Sequence, residues 1–368
     1  MKNGNGTYDL VVAGGGPAGT SAAITAARLG AQVLLLERGH YPRQKVCGEF
    51  VSPEALALLE SLLGPEAEIL LRSAPRVARA RAFVAGQCLE FSLAAPGASI
   101  SRFDFDAALW RAAEAAGADA RQGVTVESVE QGETFQVATS AGAFVANSVI
   151  NASGRWSNLV PNGAAAQPSA TPWLGLKAHF AEPEARDTVD LYFFEGGYCG
   201  VLPLGSGRVN ACAMVRAARA RSLEEVLVQH PELRQRSRGW QPATEPVTTA
   251  PLVFRPPRVL REGVLQAGDG AGFLDPFIGD GISAALHSGT LAARALTEFW
   301  QGRASLGQAA LRYQEEYERV LLPAFRTAGR LRWLLHHVPG ALRAPVAKLL
   351  RTPPVARYLV SRTRAAVR

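Results

Sequence analysis

The sequence predicts an α/β fold: a doubly wound sheet, a second domain built on a mostly antiparallel β-sheet, and a helical C-terminus. Three observations carry that prediction. A strand–glycine turn–helix–strand unit occupies Tyr8 to Glu37. A second strand running into a glycine-rich turn and a long helix lies far downstream, at Val264 to Trp300. Between them, from Trp173 to Val215, short strand-like runs recur with turn signals between them.

The first unit opens with an apolar strand, Tyr8-Asp9-Leu10-Val11-Val12-Ala13, and then Gly14-Gly15-Gly16-Pro17-Ala18-Gly19. A small-residue helix follows, and a second apolar strand ends at Glu37. Gly14, Gly16 and Gly19 form G-x-G-x-x-G. The first glycine permits the tight turn, the second lets a pyrophosphate reach the backbone, and the third lets helix and strand pack closely. The helix opening at Pro17 and Ala18 offers unpaired N–H groups and roughly half a positive charge to phosphates. Glu37 lies eighteen residues after Gly19, where an acid accepts hydrogen bonds from a ribose hydroxyl. This order of features predicts a bound dinucleotide.

Residues 38–50 read as a polar loop. Ser52-Pro53-Glu54 has the signature of a helix start: serine at the cap, proline at the first position, an acid in the first turn. Strands are expected over Ala80 to Val84 and Cys88 to Leu93, a helix over Phe103 to Ala116, and a strand over Val124 to Val129. Phe135 to Val137 and Ala143 to Val145 look like a hairpin, with a separate buried strand over Ser148 to Ala152. A long helix is expected from Gly281 to Trp300, and helices broken by proline from Ala309 onward. Stretches of dinucleotide-fold character alternate with sheet. The domains are therefore expected to be discontinuous: 1–75, 101–160 and 256–300 for the cofactor, 76–100 and 161–255 for the substrate sheet, and 301–368 as a basic helical region.

The net charge of +7 is concentrated in residues 319–368, which hold eleven Lys/Arg and no acid; the rest of the chain has 28 basic against 32 acidic residues. A high overall pI therefore gives no reason to expect nucleic-acid binding. Apolar residues make up 48% of the chain, too many for a disordered protein. Cys47, Cys88, Cys199 and Cys212 share no C-x-x-C spacing, which argues against zinc, an iron–sulfur cluster or a disulfide framework and for a reducing, cytoplasmic setting. The His336-His337 pair has no further ligand candidates beside it, so no metal is expected. No membrane span or signal peptide is expected either. In the basic tail, Leu321, Phe325, Ala328, Leu331, Leu335 and Val338 fall at roughly helical spacing. They fit either a helical lid packed on the body or peripheral contact with an anionic membrane.

Gly268-Asp269-Gly270 ends a strand, and Gly279-Asp280-Gly281-Ile282 starts the long helix. Asp269 could accept hydrogen bonds from a polyol chain. The free N–H groups of the second turn suit the electron-rich edge of a reduced flavin. Here the chain resembles the FAD-dependent oxidoreductases of the p-hydroxybenzoate hydroxylase-like superfamily, whose cofactor domain is of the glutathione-reductase type. Within it, the geranylgeranyl reductase-like branch is most similar. The resemblance implies that the first glycines and Glu37, with Arg38 beside it, hold the ADP half of FAD. It implies that Gly268 and Asp269 hold the ribityl-pyrophosphate, and that Gly279, Gly281 and Ile282 face the isoalloxazine. Arg102 matches a family arginine that contacts the cofactor, and Val126 a residue whose backbone meets adenine. The family's middle Ala-Asp-Gly motif is Ala152-Ser153-Gly154 here. Ala152 and Gly154 keep the close approach; a side-chain role for Ser153 is not implied. No second G-x-G-x-x-G unit is present, so NAD(P)H is expected to visit the flavin transiently, or a partner to supply electrons.

FAD carries redox chemistry while the protein positions groups around it. Cys47-Gly48 matches a pair that the reductase branch places near the flavin. Cys47 is a candidate proton donor, more so if Lys45 or Arg43 sits beside it. Glu49 could be an acid or base if buried. Tyr198 and Pro203 match the branch's Tyr-x-Trp-x-Phe-Pro substrate motif, but Gly200 and Leu202 replace its two aromatics. The halogenase pattern Trp-x-Trp-x-Ile-Pro fits worse, so a halogenase is not expected. His287, between apolar residues, reads as a core histidine, and Trp156 and Trp173 as packing residues.

The expected function is an FAD-dependent oxidoreductase acting on a lipophilic or aromatic small molecule. Two chemistries compete: reduction of a C=C bond by hydride from flavin N5, and hydroxylation through a C4a-hydroperoxyflavin. A flavin-fold protein that binds a lipid or partner without turnover is the alternative from another class. The sequence leaves the oligomeric state open.

Overall fold

A computed structural model describes residues 6–84, 86–155, 159, 172–184, 186–252, 254 and 256–337. The end of the basic tail and Trp156 lie outside the described residues.

The first sheet has Gly142–Asn151, Thr7–Ala13, Val33–Glu37 and Asp119–Gln122 side by side and parallel. Val264–Gln266 adds in parallel on the far side of Gly142–Asn151. Alternation along these strands separates two cores. Leu10, Val12 and Leu35 face the helices Pro17–Arg28, Arg102–Ala115 and Gly281–Trp300. Val11, Leu34 and Leu36 face Phe135, Val137 and Val149. The glycine helix and the long C-terminal helix approach closely because of Gly289. A Cβ there would lie 2.0 Å from the Ala18 carbonyl oxygen.

The second sheet orders Gln241–Pro242, Trp173–Ala181, Arg208–Arg216, Gly197–Gly205, Thr188–Phe194, Arg76–Val84, Gln87–Ser99 and Phe50–Val51. Only Thr188–Phe194 with Arg76–Val84 is parallel among the described pairs. One face packs on the helices Leu223–Leu227 and Pro231–Arg236 through Leu176, Ala178, Val201, Leu223 and Val226. On that face Arg236 joins the fully buried Asp190 at 2.6 Å and Glu182 at 2.6 Å. The opposite face carries Trp173, Gly175, Lys177 and His179 on one strand and Asn210, Cys212 and Met214 on the next, by the same period of two.

Two sequence expectations are corrected, while the helix start at Ser52-Pro53-Glu54 is as expected. Ala143–Val145 and Ser148–Ala152 are not separate strands but one, Gly142–Asn151. It pairs antiparallel with Phe135–Thr139 at its start and parallel with Thr7–Ala13 further on. Nothing at Ala146-Asn147 breaks it. Phe50–Val51 joins the second sheet, beside Ser99 and Ala98, rather than staying with the flanking cofactor-domain segments. Ser52 precedes the helix Pro53–Leu63 in extended conformation, but its hydroxyl does not cap it. It donates instead to Asp280 at 2.8 Å. The helices Glu66–Arg72, Leu223–Leu227 and Pro231–Arg236 carry no clear sequence signal, being only five to seven residues long.

Candidate active site

The G-x-G-x-x-G turn is shaped by contacts only glycine allows. Gly14 has φ +103°, and a Cβ on it would lie 2.5 Å from the Ala152 carbonyl oxygen. A Cβ on Gly19 would lie 1.7 Å from the Gly14 oxygen. Gly16 is different: it sits at the helix N-cap, and its absent Cβ would meet no atom within 4 Å. Gly154 and Gly281 border similar open space. Open space at the glycine turn and at the downstream helix start is what an extended dinucleotide lying against these backbones requires.

Glu37 ties the turn to the next loop. Its carboxylate accepts from Gly15 N at 2.8 Å, Gly39 N at 2.9 Å and Arg43 Nη2 at 2.8 Å. Burial alone would raise its pKa, but Lys45, Arg43 and those amides overcome it and hold the carboxyl below its usual range. With about four lone-pair sites, the carboxylate still has room for a ribose hydroxyl. Tyr41 OH donates to Gly15 O, and the Tyr41 ring packs 5.5 Å from Trp110. Arg38, by contrast, is exposed at the strand end. Val126 opens the strand Val126–Gln131, while the link back to the acid is made two residues earlier, by Val124 N to Glu37 O at 3.0 Å.

Arg43, Lys45 and Arg102 gather around Glu37 and Asp106. Arg102 clasps Asp106 with two bonds, of 2.8 and 2.7 Å. Burial and the Arg102 charge hold the Lys45 ammonium below its ordinary pKa. A bound diphosphate would relieve that field, so the donor set fits FAD. The downstream side fits as well. Gly268 N donates to Ser288 Oγ at 2.9 Å, and Asp269, partly exposed, lies 3.7 Å from Arg155. Gly279 takes φ +70° and packs against Phe50; Ile282 is buried behind the turn. Ser153 donates its hydroxyl to Asn151 Oδ1, turning it back onto the strand.

The Cys47 loop meets this region from the other sheet. Arg102 is anchored on Asp106, and its backbone N–H donates to Glu49 Oε1 at 2.7 Å, two residues beyond Cys47. Glu49 N donates to Cys47 Sγ at 3.3 Å, and Asn210 Nδ2 to Cys47 O at 2.9 Å. Glu49 is fully buried, with φ +62°. A non-glycine residue there costs about 1–3 kcal/mol and persists only when its surroundings over-determine it. They do: the carboxylate takes Lys177 Nζ, His179 Nε2 at 2.8 Å and Arg102 N at 2.7 Å. Burial would raise the pKa of Glu49; the His179 hydrogen bond and the Lys177 charge overcome it and lower it. Sequence reasoning missed Lys177 and His179. Their only signal was two basic residues at i, i+2 in an apolar strand.

Tyr198 is buried with Met214 and Leu252 in a cluster that includes Trp173, Leu191, Phe193, Phe254 and Phe273. Tyr198 pairs with Met214 and Met214 with Gly175, against which Val46 lies, so the Cys47 loop meets the same part of the sheet. Burial, then Asp275, pushes the Tyr198 phenol well above its usual pKa. Phe193, Phe254 and Phe273 supply aromatic rings to the Tyr198 cluster, while a Cβ on Gly200 would lie 3.4 Å from Leu191. Leu202 packs on Phe50 and Val77 instead. Leu274 and Ile278 of the flavin-facing loop carry Ala328 and Phe325 of the helix Leu322–His337, so this part of the tail packs on the body. His287 is a buried core residue. A separate cavity of about 660 Å³ is bordered by Pro42, Gln44, Phe103, His179 and Arg208; neither Cys47 nor Tyr198 lines it.

Comparison with known proteins agrees with this geometry. The family model described as "FAD binding domain" matches residues 7–321, and the chain belongs to that family. It is an FAD-dependent oxidoreductase. It is 27% identical over 341 residues to digeranylgeranylglycerophospholipid reductase 2 of Methanopyrus kandleri, covering 87% of this chain and 85% of that protein. It is 28% identical over 321 residues to the menaquinone reductase of Mycobacterium tuberculosis, covering 78% and 76%. Among solved structures, a geranylgeranyl bacteriochlorophyll reductase-like protein of Thermoplasma acidophilum superposes with a TM-score of 0.77 at 21% identity, covering 97% of this chain and 95% of that one. The flavin-dependent brominase Bmp2 superposes with 0.78 at 19%, covering 97% and 93%. At such identities the structures share the fold.

Proposed function

We propose that this protein reduces a carbon–carbon double bond in a lipophilic substrate with an isoprenoid-like chain. The observation that carries the reading is the pairing of the Cys47 loop, tied through Glu49 to the start of the Arg102 helix, with an apolar, aromatic sheet face around Tyr198. The names of the reductase relatives support the substrate class. Bound FAD supplies hydride transfer between the reductant and the substrate. Gly14, Gly16, Gly19 and Glu37 would hold its ADP end, and Gly268, Asp269 and the Gly279–Gly281 turn its other end. Glu49 N orients the Cys47 sulfur, whose S–H donates the proton that completes reduction. Tyr198, with its phenol kept protonated by burial, is a second donor on the same face. Phe193, Phe254 and Phe273 exclude water from the substrate. NAD(P)H or a protein partner reloads the flavin. The basic segment 319–368 supports docking at an anionic lipid surface that would hold such a substrate.

The test is turnover without oxygen. Reduced holoprotein mixed anaerobically with geranylgeranyl lipid or a menaquinone should yield product two hydrogens heavier. Product that forms only with oxygen, and gains an oxygen atom, would show a monooxygenase instead. Cys47→Ala should keep FAD and lower turnover at least tenfold.

A further inference from the structure

The Cys47 loop is held by residues that line one face of the strand Trp173–Ala181. Val46 lies against Gly175, Lys177 Nζ donates to Gln44 Oε1 at 2.7 Å, and Lys177 and His179 both bind the Glu49 carboxylate. The third donor to that carboxylate is the Arg102 amide, at the start of a helix in the cofactor domain. One buried side chain thus joins the substrate sheet, the cofactor domain and the loop between them. Glu49 N donates to Cys47 Sγ, so the rotation of the Glu49 backbone sets the position of the sulfur. Nothing presses on the turn from outside: a Cβ on Gly48 would meet no atom within 4 Å.

We propose that Glu49 is a positioning residue for Cys47. Its carboxylate, gripped by Lys177, His179 and the Arg102 amide, holds the left-handed turn that presents the thiol to the flavin site. This deepens the reductase reading and rests on it only for the placement of Cys47 at the flavin. A purely structural ion cluster would stabilise the fold without fixing the thiol.

Two variants separate these cases. Glu49→Gln with Lys177→Met removes both charges and leaves no buried ion unpaired. Glu49→Gly keeps the backbone angle available and deletes the carboxylate. Iodoacetamide labelling of the apoprotein, read cysteine by cysteine by peptide mass spectrometry, reports the thiol directly. Fully buried Cys199 is the internal control for loosening. In both variants Cys47 labelling is expected to rise at least fivefold while Cys199 stays protected. A Cys47 rate within twofold of wild type, a parallel rise at Cys199, or failure of both variants to fold would overturn the positioning role in favour of a structural one. Wild-type labelling with and without saturating FAD tests the underlying reading separately. FAD should protect Cys47; absence of protection would remove Cys47 from the flavin site even if the variants behave as expected.

Discussion

Gly16→Ala should separate cofactor binding from folding. Gly16 has φ −72°, an angle alanine adopts without strain, and its added methyl would meet no protein atom within 4 Å. Two small effects on the apoprotein oppose each other. Alanine is a poorer N-cap than glycine, by up to about 1 kcal/mol. It also restricts the unfolded chain, which returns about 0.4–1 kcal/mol. The net change lies within about 1 kcal/mol, moving the apoprotein Tm by no more than about 4 °C. The cofactor meets a different situation, because the methyl fills the space through which a pyrophosphate reaches the backbone. Overpacking of that kind costs about 1–3 kcal/mol, or roughly 5- to 150-fold in Kd. Fluorescence titration with FAD and a thermal melt of the apoprotein check both numbers. An unchanged Kd would show that no phosphate approaches Gly16. Gly19→Ala is the contrast: its methyl would lie 1.7 Å from a carbonyl oxygen, so folding and FAD binding should fail together.

Other perturbations reach different layers. Glu37→Ala should weaken FAD retention about tenfold or more and release Arg43 and the Gly15 amide; unchanged occupancy after gel filtration would refute its ribose role. Arg236→Met removes the buried cation from Glu182 but leaves Asp190 on Arg81, at a cost of about 1–3 kcal/mol. It lies on the sheet face packed by short helices, so the FAD Kd should not move; urea unfolding and FAD titration together test this. Glu37 and Glu49 both have pKa values below their ordinary 4.5. Their stabilisation is therefore complete above about pH 4.5 and is lost as pH falls through the lower folded values. Urea midpoints that stay flat down to pH 3 would contradict this.

Both cofactor turns were legible in the sequence because their constraints are local. Gly14 and Gly19 are needed by contacts within their own strand–turn–helix unit, and the Gly279–Gly281 turn feeds its helix directly. The long helix Gly281–Trp300 declares itself by length and pattern. What was not legible depends on docking. Glu49 meets Lys177 and His179 across 128 and 130 residues. No local pattern marks that pairing, because it exists only once two sheets meet. Ser52 is the helix N-cap that its neighbours describe, but the partner of its hydroxyl, Asp280, comes from the tertiary fold. Gly200 and Leu202 showed where aromatic rings are missing, but not that Phe193, Phe254 and Phe273 gather around Tyr198 from other segments.

The strand Gly142–Asn151 has a consequence for biosynthesis. On one side it pairs with Thr7–Ala13; on the other, beyond the stretch paired with Phe135–Thr139, its last residues pair with Val264–Gln266, made after the whole second sheet. During synthesis at about 5–20 residues per second, the nascent chain therefore carries an open sheet edge for many seconds. That edge closes only when the segment bearing Gly268 and Asp269 leaves the ribosome. Capture of the cofactor is expected to be a late event, and chains truncated before residue 260 should emerge colourless and prone to aggregate through the unpaired edge.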